Sequence, residues 1–182
     1  MRSSKSEVLC RITDWYLKYQ NPLPKSLKEF WHLVPKLCRG EQEMSISDCK
    51  FTWRVNFPEI EKKVLYDKQC AKNVIKLLKL LRDKQNWKTI ASYHMNTVIL
   101  LEVDKSSEPA YWKQGKFLFV RFLEALKQLQ GYLRENHLPY FFCAEYNLFH
   151  VLNSGTCKNI SDRLGRIISS IEADPSNLKL YL

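Results

Sequence analysis

The chain has 182 residues, 45% of them hydrophobic, with only 5 glycines and 7 prolines. These proportions exclude a fibrous or low-complexity protein and suit one domain, or one large lobe, with a buried core. Lysine and arginine number 29 against 19 acidic residues, a formal net charge of +10, which favours anionic partners such as nucleic acid, nucleotides or an acidic membrane surface, with plain solubility as the alternative.

In chain order, Ser6–Tyr19 reads as a helix, because Val8, Leu9, Ile12, Trp15, Tyr16 and Tyr19 recur at helical spacing. Asn21, Pro22 and Pro24 break it. Ser26 caps a short helix over Leu27, Phe30 and Trp31, which Pro35 ends. The polar stretch 38–50, with Gly40, reads as a loop. Phe51–Phe57 alternates like a short extended segment. Pro58 then suits a first helical position, with Glu59 and Glu61 placed where acids favour the dipole, and this helix runs to about Tyr66. A second helix covers Gln69–Lys84. Ser92–Val103 reads as a buried helix, with a strand as the alternative, since Val98–Leu101 is apolar on all sides. Residues 105–110 read as a loop. Gln114–Asn136 is a long amphipathic helix stopped by Pro139, a short element covers Glu145–Leu152, and a last helix covers Ile160–Ile171, closed by Asp174-Pro175. The expected fold class is mainly α, a helical bundle.

Six cysteines, Cys10, Cys38, Cys49, Cys70, Cys143 and Cys157, form no C-x-x-C pair and no zinc-finger spacing. The first residues hold no apolar signal-peptide core, and no run of 18 apolar residues suggests a membrane span. Free thiols in a reducing cytosol or nucleus are the simplest expectation.

Gln69–Lys84 carries the clearest candidate surface. Val74, Ile75, Leu77, Leu78 and Leu81 define one face, and Lys72, Lys76 and Lys79 line the other. Three ammonium groups over about two turns, roughly 10 Å, suit successive phosphates. A solvated helix face is the competing reading. No acidic pair of D-x-D type stands beside a Gly-Ser turn, as two-metal transfer chemistry needs, and neither G-x-x-x-x-G-K nor G-x-G-x-x-G occurs. Glu59 and Glu61 fit helix capping better than metal binding, and His94 fits a packed or capping role better than a base.

Four stretches, HLVPK at 32–36, WRVNFPEIEKKVL at 53–65, ASYHMNT at 91–97 and AEYNLF at 144–149, resemble in order and spacing the C-terminal half of cyclic GMP–AMP synthase and its relatives, the Mab-twenty-one (male-abnormal) family. The resemblance implies a helix-hairpin-helix-like C-terminal lobe over 25–182, with 1–24 as spine helix and linker. It implies that Arg54 and Lys79 reach nucleotide phosphates, that Ser92 and Tyr93 bond to and stack on a purine, and that Lys72 and Lys76 touch duplex nucleic acid. Tyr93 packing between helices remains the alternative for that residue. The implied partners are ATP, GTP and double-stranded RNA or another duplex. The implied setting is innate immune sensing in the cytoplasm, with the nucleus as alternative, and no membrane.

Cyclic dinucleotide synthesis would need the family's catalytic lobe and its magnesium or manganese, which the resemblance places outside this chain. The zinc loop of DNA-sensing members is reduced here to Leu65–Cys70, so zinc is not expected. Two further readings stand beside this one: a non-catalytic scaffold or developmental protein of the same family, and a stand-alone nucleic-acid-binding module.

Overall fold

The computed structural model describes the backbone of two strands, His32–Leu37 and Phe51–Asn56, and the full residues 57–106 and 110–182. The expected helix at 6–19, the expected loop at 38–50 and most of the short helix after Ser26 lie outside the described residues.

β1 (His32–Leu37) pairs antiparallel with β2 (Phe51–Asn56), with Val34 opposite Arg54 and Pro35 opposite Trp53. The extended reading of Phe51–Phe57 therefore holds. The reading of Pro35 as a helix terminator does not, because Pro35 lies inside a strand. A two-stranded ribbon leaves each strand an unpaired edge, where a residue without an N–H is tolerated.

Pro58 opens α1 (Pro58–Val64), with Glu59 and Glu61 in its first turn and Lys62 and Lys63 in its last. Ile60 and Val64 are its buried residues. The helix stops short of Tyr66 because Asp67 takes a left-handed φ of 55°, turning the chain into α2 (Gln69–Lys84). α2 has the limits its periodicity predicts, and buries Cys70, Ala71, Val74, Ile75, Leu78 and Leu81. After a turn through Asn86, also at φ 55°, comes α3 (Ser92–Lys105). This is a helix and not a strand, and it buries His94, Met95, Thr97, Val98, Ile99, Leu100 and Val103. Residues all around α3 are buried, as an apolar segment at the centre of a bundle requires.

The stretch expected to be loop ends in a one-turn helix, α4 (Ala110–Lys113). The long helix begins later than predicted: Gly115–Phe117 forms a 3-10 turn, and α5 covers Leu118–Arg134. Phe122, Leu126, Leu129 and Leu133 line its buried face, and α5 packs against α2, α3 and α6. A small antiparallel hairpin follows, β3 (Pro139–Tyr140) with β4 (Cys143–Asn147). The Asn147 side chain holds it: Oδ1 accepts from Leu138 N at 2.9 Å and Phe149 N at 2.8 Å, and Nδ2 donates to Asn136 O at 2.9 Å.

α6 (Ser154–Ala173) starts six residues before the predicted Ile160. Asn153 caps it, its side chain accepting from Gly155 N at 2.7 Å. Ser154-Gly155 is thus a helix start. Asp174 and Pro175 end α6 as expected and lead into a 3-10 segment, Pro175–Leu180. No helix among the described residues is long and apolar enough to cross a membrane.

Candidate functional site

α2 and α3 form a helical hairpin, and its turn gathers several of the sequence-predicted residues. Lys79 sits two turns along α2 from Lys72 and is partly buried. Burial, then the like charge of Arg82, hold its ammonium below the usual lysine range, with Glu61 of α1 pulling the other way. Arg82, one turn further, donates from Nη1 to Ser92 Oγ at 2.6 Å. Its Nε and Nη2 grip Asp83. Ser92 is therefore tied to α2 by a mostly buried guanidinium that also holds the exposed Asp83.

Tyr93 follows on α3. Its hydroxyl donates to Glu61 Oε1 at 3.1 Å, and its ring lies 6.1 Å from that of Tyr140. Burial first, then Tyr140 and Glu61, raise the phenol pKa well above its usual value, so Tyr93 is a neutral hydrogen-bond donor. Tyr140 continues into an aromatic knot, with Phe142 at 5.5 Å and Tyr146 at 6.2 Å. Lys79 and Tyr93 thus share Glu61 as a common neighbour, and Ser92 joins them through Arg82. Arg54 sits on β2, three residues before Phe57, and its side chain lies outside the described residues.

Sequence reasoning missed Glu61, Arg82 and Tyr140. Glu61 was assigned to capping alone, and it does lie in a first turn. Only the fold brings it to Tyr93. Arg82 stands three residues after Lys79, which places it on the same helical face and could have found it. His94 is packed as expected: Ala91 N donates to its Nδ1 at 3.2 Å, and its ring meets Phe149 edge-on at 5.1 Å. Beside Ser92, a shallow groove of about 440 Å³ is lined by Arg82, Asp83, Asn86, Trp87, Lys88, Ile90 and Ala91.

The lysine stripe divides. Lys72 and Lys76 are exposed and form no ion pair among the described residues, whereas Lys79 is half-buried, with Glu61 as its acidic neighbour. Near the start of α2, Lys113 of α4 bridges to Asp67 at 2.6 Å. Among the described residues no group of three His, Cys, Asp or Glu side chains stands close enough to hold a metal ion. Cys70 is buried, its thiol pushed up by burial.

Residues 70–166, from the start of α2 into α6, match the model of the Mab-21 protein HhH/H2TH-like domain. Curated relatives agree with it. The chain is 32% identical over 162 residues to a cyclic GMP-AMP synthase-like receptor of Tribolium castaneum, covering 89% of this chain and 38% of that protein. It is 32% identical over 157 residues to the receptor of that name in Microplitis demolitor, covering 86% and 28%. For the one in Aethina tumida the figures are 34% over 134 residues, 71% and 33%. The chain spans less than two fifths of the length of these relatives. A helical hairpin framed by a central apolar helix, matched over more than half the chain and in relatives throughout the described bundle, places this protein in the Mab-21 family, whose HhH/H2TH-like domain it carries.

Proposed function

We propose that this chain is the helical, ligand-holding lobe of a cyclic GMP–AMP synthase-like receptor. Purine nucleotides, ATP and GTP, lie against Lys79, Arg82, Ser92 and Tyr93, with Arg54 contributing from β2. Duplex RNA lies along Lys72 and Lys76. Joining two nucleotides into a cyclic dinucleotide, in cytoplasmic innate immune sensing, requires magnesium or manganese held by carboxylates that the described residues do not gather. Those carboxylates belong to a nucleotidyltransferase lobe acting together with this one.

The observation that carries this reading is the split of one helix into two cationic stations. Lys79 is half-buried with Arg82 and Glu61 as its charged neighbours, and Arg82 reaches across to Ser92 of α3, while Lys72 and Lys76 stay in solvent. Guanidinium and ammonium groups suit triphosphate oxygens, and an aromatic face accepts either purine. One observation favours a second reading. Ser92 Oγ and Tyr93 Oη already have partners inside the protein, as they would in a non-catalytic Mab-21 scaffold that keeps only the fold.

Calorimetric titration of ATP and GTP into the receptor, with and without Lys79→Ala and Arg82→Ala, separates the two. Loss of one charge-assisted contact of about 1.5–3 kcal/mol weakens binding by about tenfold or more. Absent binding, or affinity unmoved by both changes, leaves the scaffold.

A further inference from the structure

The turn between α1 and α2 places a carboxylate inside a ring of cations. Asp67 Oδ2 receives Lys113 Nζ at 2.6 Å, joining the turn to α4. Lys68, next in sequence, packs its Nζ onto Val64 O at 2.7 Å, closing α1. Lys72 starts the exposed stripe one turn into α2, and its charge, like those of Lys68 and Lys113, acts on Asp67. Lys68 and Lys113 also repel one another: after burial, the Lys113 charge is what holds the Lys68 ammonium below the usual lysine range. Asp67 thus feels the charges of three ammoniums, Lys113 most strongly. Tyr66, on the same turn, is the most exposed of the large hydrophobic side chains among the described residues, at 76%.

A phosphodiester offers the same charge and acceptor oxygens as a carboxylate. We infer that Lys68, Lys72 and Lys113 form a phosphate seat that extends the duplex-binding surface from α2 onto α4, and that the Asp67 carboxylate occupies it in the free protein until a backbone phosphate displaces it. The inference rests on the duplex-binding reading above and adds residues from outside the lysine stripe. Tyr66 lies at the edge of the footprint, where its ring meets the sugar edge of a shallow RNA minor groove. Asp67 weakens binding by competing for the lysines. It also holds Lys113 next to the stripe, so that the cations are already gathered when the duplex arrives.

The test is Asp67→Asn, followed by anisotropy of labelled duplex RNA across a salt series. Asparagine tolerates the left-handed backbone at this position, so the turn survives. The expected result is several-fold tighter binding. The salt slope stays the same, since the same number of phosphates is seated once Asp67 has been displaced, and the gain appears as an offset at every salt concentration. Lys113→Gln weakens binding, and in its presence Asp67→Asn has a smaller effect, the non-additivity of groups in contact.

If Asp67→Asn leaves RNA affinity unchanged or lowers it while Lys72→Gln with Lys76→Gln still weakens binding, the seat is refuted and the stripe survives. If no variant binds duplex RNA in a salt-dependent way, both fall. Tighter ATP binding without tighter RNA binding in Asp67→Asn also refutes the seat, since it would then serve free nucleotide. Lys113→Gln binding as tightly as the unaltered protein refutes it independently of how Asp67→Asn folds.

Discussion

Replacing Lys72 and Lys76 together by glutamine removes two charges without disturbing the bundle. Both side chains are exposed and neither forms an ion pair among the described residues, so the change in stability stays within about 0.5 kcal/mol. The two positions are one turn apart, about 6 Å along α2, close enough to serve adjacent phosphates of one strand. Each ammonium that meets a phosphate contributes about 0.9 to the slope of log affinity against log salt, so the double variant loses about 1.8. Over a fourfold change in salt, from about 50 to about 200 mM, that difference amounts to about twelvefold in affinity. The variant's deficit is therefore about twelvefold larger at the low end of the series than at the high end. Anisotropy of a labelled RNA duplex across the series, with thermal melts run alongside, reads both quantities. An unchanged slope, or a deficit of the same size at every salt concentration, would refute the assignment of these lysines to phosphate contacts.

Asn147→Ala leaves the N–H groups of Leu138 and Phe149 and the carbonyl of Asn136 without their side-chain partner; denaturant unfolding should show a loss of about 2–4 kcal/mol. Tyr93→Phe removes the bond to the Glu61 carboxylate but keeps the ring, so the expected cost in stability is about 1.5–3 kcal/mol. A loss of nucleotide affinity well beyond that would mean the hydroxyl meets the ligand. Asp67 and Asp174 are both held below the usual carboxylate range, Asp67 by Lys113 and Asp174 by its bonds from Ser176. Carboxyls with a lowered folded-state pKa stabilise the fold above their unfolded value, and that contribution is lost as the pH falls through the folded one. Melting temperature should therefore drop as the pH falls below about 4, and drop less steeply in Asp67→Asn.

Most of the helical frame was legible because its signal is local. α2 shows a clean apolar face from Ala71 to Leu81, and both its limits were read correctly. Pro58 marked the start of α1 by its own stereochemistry. The start of α6 was missed because Ser154, Gly155 and Lys158 supply no apolar face, and the signal that matters is the single cap from Asn153. β1 was missed because a strand is defined by its partner, and the partner stands more than a dozen residues away. The site divides in the same way. Lys72, Lys76 and Lys79 share one helix, so their placement followed from spacing. Glu61 against Tyr93, Tyr140 against Tyr93 and Lys113 against Asp67 are contacts between separate elements, which no single segment specifies.

α2 contains neither glycine nor proline, and its 16 residues form one uninterrupted helix about 24 Å long. Such a rod has no hinge at which to absorb a displacement. A shift or roll imposed on its outer lysines must reappear at Lys79 and Arg82, and through Arg82 at the first turn of α3. On the proposed reading, a duplex on the outer lysines and a nucleotide on the inner cations would therefore be coupled by rigid-body movement of a single helix.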